Sequence, residues 1–444
     1  MKRLRIVVIL MNLLLLAGCG ANGDSARVYE QPEMKGDLTI SVFYQSRFLE
    51  MAAAAFMDKH PDVTITINNF VDYVQTVTNA ETGGISTVVT NEYSYENYLL
   101  YINTMIMSGD ADDLFDTRAL TTHRYEDMGV FEDLSFYMEH APEINAENFY
   151  MNLFDAMRTR DGKLYELPVA GEAGKIAYFD ERLAENANLY LDEGTKTISY
   201  REAMEYAKAL YRANRDENVY LTIENPAQVV MQYVGDDYER YIDLYNYEVH
   251  LDSEAFIGLL YEVQAIYEEF GEMQSLSSGT KFAYNFDMSN IQIVPHAMLY
   301  PEEWDQITPQ SDVNGAVHYN AQTYAINSNS PNKDLAWEFL RFMLTDEVQT
   351  LPLVFQPAIS KSGLDAFVER LCTNLLVGSD IELSQDECLD MVQGWLMTVN
   401  THHRRDALLE EKMFSEISRF IAGVQSAEET AKVLQNWCSM YLNQ

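Results

Sequence analysis

Residues 38–67 constrain the fold more tightly than any other stretch of the chain. Leu38, Ile40 and Val42 alternate with polar residues, as in a strand with one buried face. Phe48 to Lys59 then carries four alanines and apolar residues at helical spacing, and Pro61 bars that helix from continuing. Val63, Ile65 and Ile67 alternate again. Strand, helix and strand within about thirty residues make a βαβ unit, which implies a parallel sheet with a right-handed crossover.

The rest of the pattern extends this theme. Residues 71–93, rich in Thr, Asn and Gly, read as a long surface excursion. A helix is expected over 98–107 and a short strand over 113–115. Asp116 to His123 then fall in the loop at that strand's carboxyl end, where open α/β sheets place ligands. An Asp161-Gly162 turn leads to a strand over 163–169, a break flanked by Gly171 and Gly174, and a second strand over 175–179. Such a break suits a crossing between two lobes, because hinge residues must absorb dihedral change. Helices are expected over 200–212, 253–270, 327–344, 364–375, 384–399 and 427–442. In the third of these, Ser330 or Asn332 supplies a cap, Pro331 an initial turn, and Leu335, Ala336, Phe339, Leu340 and Met343 an apolar face.

The amino-terminal residues stand outside this pattern. Lys2, Arg3 and Arg5 precede an apolar run over 6–17 interrupted only by Asn12. The run is shorter than the ~20 residues a bilayer-spanning helix needs, and fits the three-part plan of a secretory signal. It ends Leu16-Ala17-Gly18-Cys19, which resembles the bacterial lipoprotein box, in which the cysteine is acylated and the peptide is cut before it. Residues 1–18 therefore read as a lipoprotein signal peptide and 19–36 as a lipidated tether, polar and without period. Two or more acyl chains on Cys19 would hold a membrane firmly where one would not.

Charge narrows the partners. With 30 Lys and Arg against 69 Asp and Glu, the formal charge is −39. Such a surface repels phosphate backbones and anionic headgroups, so nucleic acid is excluded as a partner and membrane attachment falls to the lipid. Cys372, Cys388 and Cys438 are too few for a disulfide scaffold. A bridge between Cys372 and Cys388 stays open at this point.

Several ordered segments resemble the extracellular solute-binding proteins of bacterial ABC importers, of the carbohydrate type (family 1). "GDLTISVFYQSRFLEMAAAAFMDKHPDVTI" is similar to that family's opening strand, helix and strand. "YINTMIMSGDADDLFD" matches its "sGdaPDif" segment, with Asp112 where proline is usual. "GVFEDLSFYM", "DGKLYELPV" and "NSNSPNKDLAWEFLRFMLTDEVQ" match further pieces in order, whereas Tyr178-Phe179-Asp180-Glu181 departs from the usual "YNkdlf". The resemblance implies an α/β, two-lobed Venus-flytrap fold with lobes joined by hinge strands. Lobe 1 would take 37–168 and 322–356, and lobe 2 would take 169–318 and 361–444. It further implies a monomer, held by lipid on the extracellular face of the cytoplasmic membrane. There it would bind a small solute, most simply an oligosaccharide, and pass it to ABC permease subunits, with no enzyme activity and no cofactor.

Carried over by position, the resemblance nominates Tyr44 and Arg47 after the first strand, with Ser46 between them, and Asp116 and Arg118 after the third. It adds Glu172 at the first crossing, Tyr284, Asn285 and Asp287 in the second lobe, Trp304, and Tyr319 near the second crossing. A sugar offers hydroxyls and a flat C–H face, so planar polar groups beside aromatic rings suit it.

Other chemistry lacks its signature. Asp110, Asp112, Asp113 and Asp116 superficially suggest a calcium loop, but Phe115 stands at its glycine position and Thr121 at its glutamate position. His402 and His403 are adjacent, not four apart, so no metal site is expected. There is no G-x-S-x-G elbow, P-loop or G-x-G-x-x-G. A surface glycoside hydrolase remains the alternative, since 69 acidic residues always allow a carboxylate pair to be nominated. A sensor subunit for a signalling receptor would share the fold.

Overall fold

The computed structural model describes residues 29–44, 46–71, 75–78, 85–88, 95–191, 195–215, 219–221, 225–270, 281–284, 306–352, 356–375, 384–402, 404 and 406–443. Cys19, Asn285, Asp287 and Trp304 lie outside them, as does the side chain of Tyr284.

The opening unit forms as its alternation predicts. Strand β1 (Gly36–Tyr44) and β2 (Val63–Val71) pair in parallel with Leu38 opposite Ile65 and Ile40 opposite Ile67, and helix Arg47–Lys59 connects them. Ser46 caps that helix, its hydroxyl accepting from Leu49 N at 3.3 Å. Within 71–93 the chain forms an antiparallel pair, β3 (Gln75–Thr78) and β4 (Ile85–Val88), where an irregular excursion was expected.

Helix Tyr95–Ser108 leads to β5 (Leu114–Asp116), which joins β1 in parallel. Chain direction then reverses across the sheet: β14 (His318–Ile326) runs antiparallel to β5 and to β6 (Leu167–Ala173), with β15 (Thr401–His402) on its edge. The resulting sheet has six strands, in the order β15-β14-β5-β1-β2 with β6 also paired to β14.

Buried aspartates stitch it together. Asp113 accepts from Thr39 N and Thr39 Oγ at 2.9 Å and from Ser330 Oγ at 2.5 Å. Asp112, the departure from the usual proline, accepts from Ser41 Oγ at 2.5 Å and Asn68 Nδ2 at 2.9 Å. It therefore ties β5 to both β1 and β2, and fully occupied acceptors of this kind are what make a buried carboxylate tolerable.

The second half has its own core. Strand β7 (Ile176–Phe179) pairs with β13 (Gln306–Ser311), which also pairs with β8 (Ile198–Ser199), while β9 (Val219–Leu221) pairs with β12 (Lys281–Tyr284) and β10 (Ile242–Asp243) with β11 (Glu248–Val249). Helices Tyr200–Ala213, Pro226–Asp236, Glu254–Phe270, Ala407–Ile421 and Ala427–Leu442 close over these strands in one apolar cluster. Two of the connections between the halves are the β6–β7 and β13–β14 crossings. At the first, Gly174 takes φ +26° and its N–H donates to His318 O at 2.7 Å. Gly171, expected to flank the break, sits inside β6 instead, opposite Ala321.

The carboxyl-terminal stretch 361–444, assigned whole to lobe 2 on sequence, divides in its contacts. Helices Lys361–Leu375 and Gln385–Thr398 pack on each other, the former against helix Asp346–Gln349 and the latter against β6. Only the two helices that follow join the second core. The cause is polar anchoring: Asn152 Nδ2 donates to Leu396 O at 2.9 Å and Val399 O at 3.0 Å, and Lys361 N donates to Asn148 O at 2.9 Å.

Candidate functional site

The carboxyl ends of β1 and β5 bring a polar and aromatic group together. Asp116 ends β5 and is buried, and its carboxylate is held by its own turn. Arg118 Nε donates to Oδ1 at 2.9 Å, its NH2 to Oδ2 at 2.5 Å, and its backbone N to Oδ1 at 3.2 Å. The Arg118 side chain remains 45% exposed while that of Asp116 is 4% exposed. Burial works against the Arg118 charge, but the paired Asp116 more than offsets it and holds the guanidinium above its ordinary range. Tyr324 and Tyr95 are also close enough to favour that charge.

Tyr44 completes the group. It is half-buried at the end of β1, its ring lying edge-on to Phe43 at 4.3 Å. Burial raises its hydroxyl pKa, and Tyr95, to which it is hydrogen-bonded, raises it further. Tyr324 accepts from Gln322 Nε2 at 2.8 Å. Behind them Phe43 stacks on Tyr95 at 4.6 Å and Phe70 approaches Tyr98 at 5.3 Å, a rigid aromatic wall. Arg47 is exposed on the first turn of its helix.

The hinge supplies a second group. Glu172 on β6 faces Asn320 on β14, with Asn320 Nδ2 at 3.5 Å from Oε1. Tyr319 is buried with its ring over Gly171, and its hydroxyl has no hydrogen-bond partner among the described residues. Burial, then the Glu172 charge, pushes that hydroxyl well above the ordinary tyrosine range. Tyr319 lines a cavity of about 250 Å³ together with Lys175, Asp236, Gln310, Asp312 and Asn320. Asp236 accepts from the backbone N–H of Tyr200 and Arg201 at 2.9 Å, yet burial still pushes its carboxyl up to about 6.

A third group bridges the two halves around a cavity of about 350 Å³. Arg404 meets Glu126 at 3.0 Å, Arg160 meets Glu239 at 2.5 Å and lies 3.9 Å above the Tyr245 ring, and Tyr247 bonds Asp127. Burial pushes Glu126 up to about 8, with Arg404 pulling the other way. His123, whose ring nitrogens lack partners among the described residues, is pushed down to about 4 by burial and then by Arg124.

Of the nominated residues, the structure thus brings Tyr44, Asp116 and Arg118 together and sets Glu172 and Tyr319 on the paired hinge strands. Tyr95, Gln322, Tyr324, Lys175 and Asp236 were not nominated. The sequence holds no local signal for them, since each is brought in by a long-range strand or helix contact.

A sequence model described as bacterial extracellular solute-binding protein matches residues 44–350, from the lip of β1 to the end of helix Asp346–Gln349. The chain belongs to this family of solute-binding proteins. Its fold is that of two-lobed sugar-binding proteins. The sugar-binding protein MalE from Xanthomonas citri is 13% identical, with a TM-score of 0.57 over 92% of this chain and 98% of that one. A periplasmic oligogalacturonide-binding protein from Yersinia enterocolitica is 14% identical, with a TM-score of 0.56 over 92% and 99%. An ABC substrate-binding protein from Listeria monocytogenes, in complex with cycloalternan, is 15% identical, with a TM-score of 0.54 over 92% and 99%. A sequence search of curated proteins gives no match. The α/β, two-lobed expectation and the family expectation therefore hold, and the solute-binding family is one of binding proteins rather than enzymes.

Proposed function

We propose that this solute-binding protein captures a carbohydrate, most simply an oligosaccharide, between its two lobes and delivers it to the permease of an ABC importer. The observation that carries the reading is the convergence of Tyr44, Tyr95 and Arg118 at the strand ends, with Tyr324 buried behind them and the half-exposed Arg118 side chain already neutralised by Asp116. Planar donors beside aromatic rings match a neutral polyhydroxy ligand, whose hydroxyls accept from Arg118 and whose C–H face lies on a ring. In this reading Asp116 acts by aiming Arg118. Arg47, Glu172, Tyr319, Tyr284, Asn285 and Trp304 complete the proposed contacts. The sugars bound by structural relatives, cycloalternan and the acidic oligogalacturonide, support carbohydrate as the class. Closure follows population shift: the closed form gains only as much as the solute binds it more tightly than the open form.

Saturating sugar should raise the melting temperature of the chain from Ser25 onward by mass action, about 2.7 kcal/mol at a hundredfold excess over Kd. A screen of mono- and oligosaccharides, amino acids, peptides and polyamines reads this directly. Stabilisation by an amino acid or polyamine and by no sugar would overturn the carbohydrate class, and a sugar recovered cleaved would overturn the binding role.

The anchor belongs to the same proposal: cleavage before Cys19, acylation of its sulfur, and residues 19–36 as tether. Cys19→Ser should move the protein to the medium or leave its leader uncut. Membrane retention of an acylated Cys19→Ser chain would refute the lipid reading.

A further inference from the structure

We propose that Cys372 and Cys388 are joined in a disulfide that cross-links the helical brace behind the hinge. Cys372 lies near the carboxyl end of helix Lys361–Leu375 and Cys388 in the first turn of helix Gln385–Thr398, and the two helices pack on one another. Their Sγ atoms are 3.2 Å apart and both side chains are buried, and among the described residues the one other thiol, Cys438, is buried in the second core. Bonding the sulfurs needs them to close by roughly 1 Å, a small side-chain adjustment.

Compartment supplies the second argument. The family is extracellular, and outside the cytoplasm such a thiol pair meets an oxidising environment. The step is a two-electron exchange: each Sγ loses its proton, one S–S bond forms, and the two electrons reduce the disulfide of a thiol–disulfide oxidoreductase to its dithiol. Burial, and then the Cys372 contact, pushes Cys388 up to about 12, so little thiolate is available once the helices have packed.

What it secures is the end of the brace. Helix Gln385–Thr398 packs on hinge strand β6, and its carboxyl end, held by Asn152, leads within a few residues into β15 on the edge of β14. A cross-link at the first turn fixes one end of this helix while Asn152 fixes the other.

The test uses the full chain as secreted, denatured without reductant and alkylated. No Lys or Arg lies between Leu371 and His403, so trypsin leaves both cysteines in one peptide, and a second protease cutting at the intervening acidic residues is needed to separate them. The expected result is a linked pair of peptides bearing Cys372 and Cys388, lighter by two hydrogens than the reduced pair, with Cys438 alkylated. Alkylation of Cys372 and Cys388 before reduction, or a link from either to Cys438, overturns the proposal. Cys372→Ser, Cys388→Ser and the double variant should lower the melting temperature equally, because one bond is lost in each. Losses that add would mean separate packing contributions and would also overturn it.

Discussion

Trp337→Ala is expected to destabilise the protein by about 3–5 kcal/mol, the cost of emptying a buried aromatic site whose surroundings cannot collapse. Trp337 lies in helix Lys333–Met343 with no exposed surface, and its ring stacks on Tyr137 at 5.2 Å. Tyr137 is itself fixed, its hydroxyl donating to Asp334 Oδ1 at 2.8 Å on the same helix. On other faces of that helix Phe339 and Phe342 contact Phe56 at 5.4 and 5.3 Å, which holds the helix against shifting to fill the cavity. Denaturant unfolding followed by circular dichroism measures the loss, and Trp337→Phe should recover part of it by keeping a ring against Tyr137. A change below about 1 kcal/mol, the size of an ordinary surface substitution, would show that this ring does not anchor the large-sheet half.

The same helix marks how far sequence reasoning reaches. Its apolar face was legible from spacing, and Asn332, one of the two expected caps, stands at its N-cap, but the outer bound of 327 was too early, since residues 327–332 form the turn after β14. Ser330, the other expected cap, lies in that turn, where its Oγ accepts from Asn332 N at 2.9 Å and donates to Asp113 Oδ1 at 2.5 Å. Asn332 stands at the cap position, but its side chain donates to Asp37 O at 3.0 Å and makes no capping bond. A tertiary partner thus orients the side chain that local rules assign to capping. Strand β6 likewise begins at Leu167 rather than Lys163, because Thr159 holds Lys163 in a turn. Helix Ala407–Ile421 was not among those expected, although Asp406 caps it and Leu409, Met413, Ile417 and Phe420 recur at helical spacing.

For the site, position after a strand was enough to nominate Tyr44, Asp116 and Arg118, which lie together because a parallel sheet puts its strand ends on one side. Which group faces solvent was not legible. Asp116 and Arg118 are two residues apart and equally polar in sequence, and only burial distinguishes the occupied carboxylate from the presented guanidinium. Tyr95 was hidden for a different reason: it starts a helix 51 residues after Tyr44 and meets it only through the fold.

Gly171→Ala should harm the hinge more than any other single added methyl. A Cβ there would lie 2.6 Å from Tyr319 Cζ and 2.7 Å from the backbone oxygen of Asn320. The Tyr319 ring borders a cavity and can yield, but the second obstacle is backbone, so β6 and β14 must separate. Overpacking of this kind costs about 1–3 kcal/mol. Because these strands carry Glu172 and Asn320 and form two of the connections between the halves, the displacement should also weaken solute binding. Gly258→Ala is the matched control: its Cβ meets nothing within 4 Å in the interior of helix Glu254–Phe270. It should gain roughly 0.5–1 kcal/mol from reduced backbone freedom. Thermal melts of both variants, with and without the sugar found by screening, separate the two effects. A Gly171→Ala protein that melts and binds like wild type would mean that the hinge strands slide past the clash, and that the Asn320 backbone does not set their spacing.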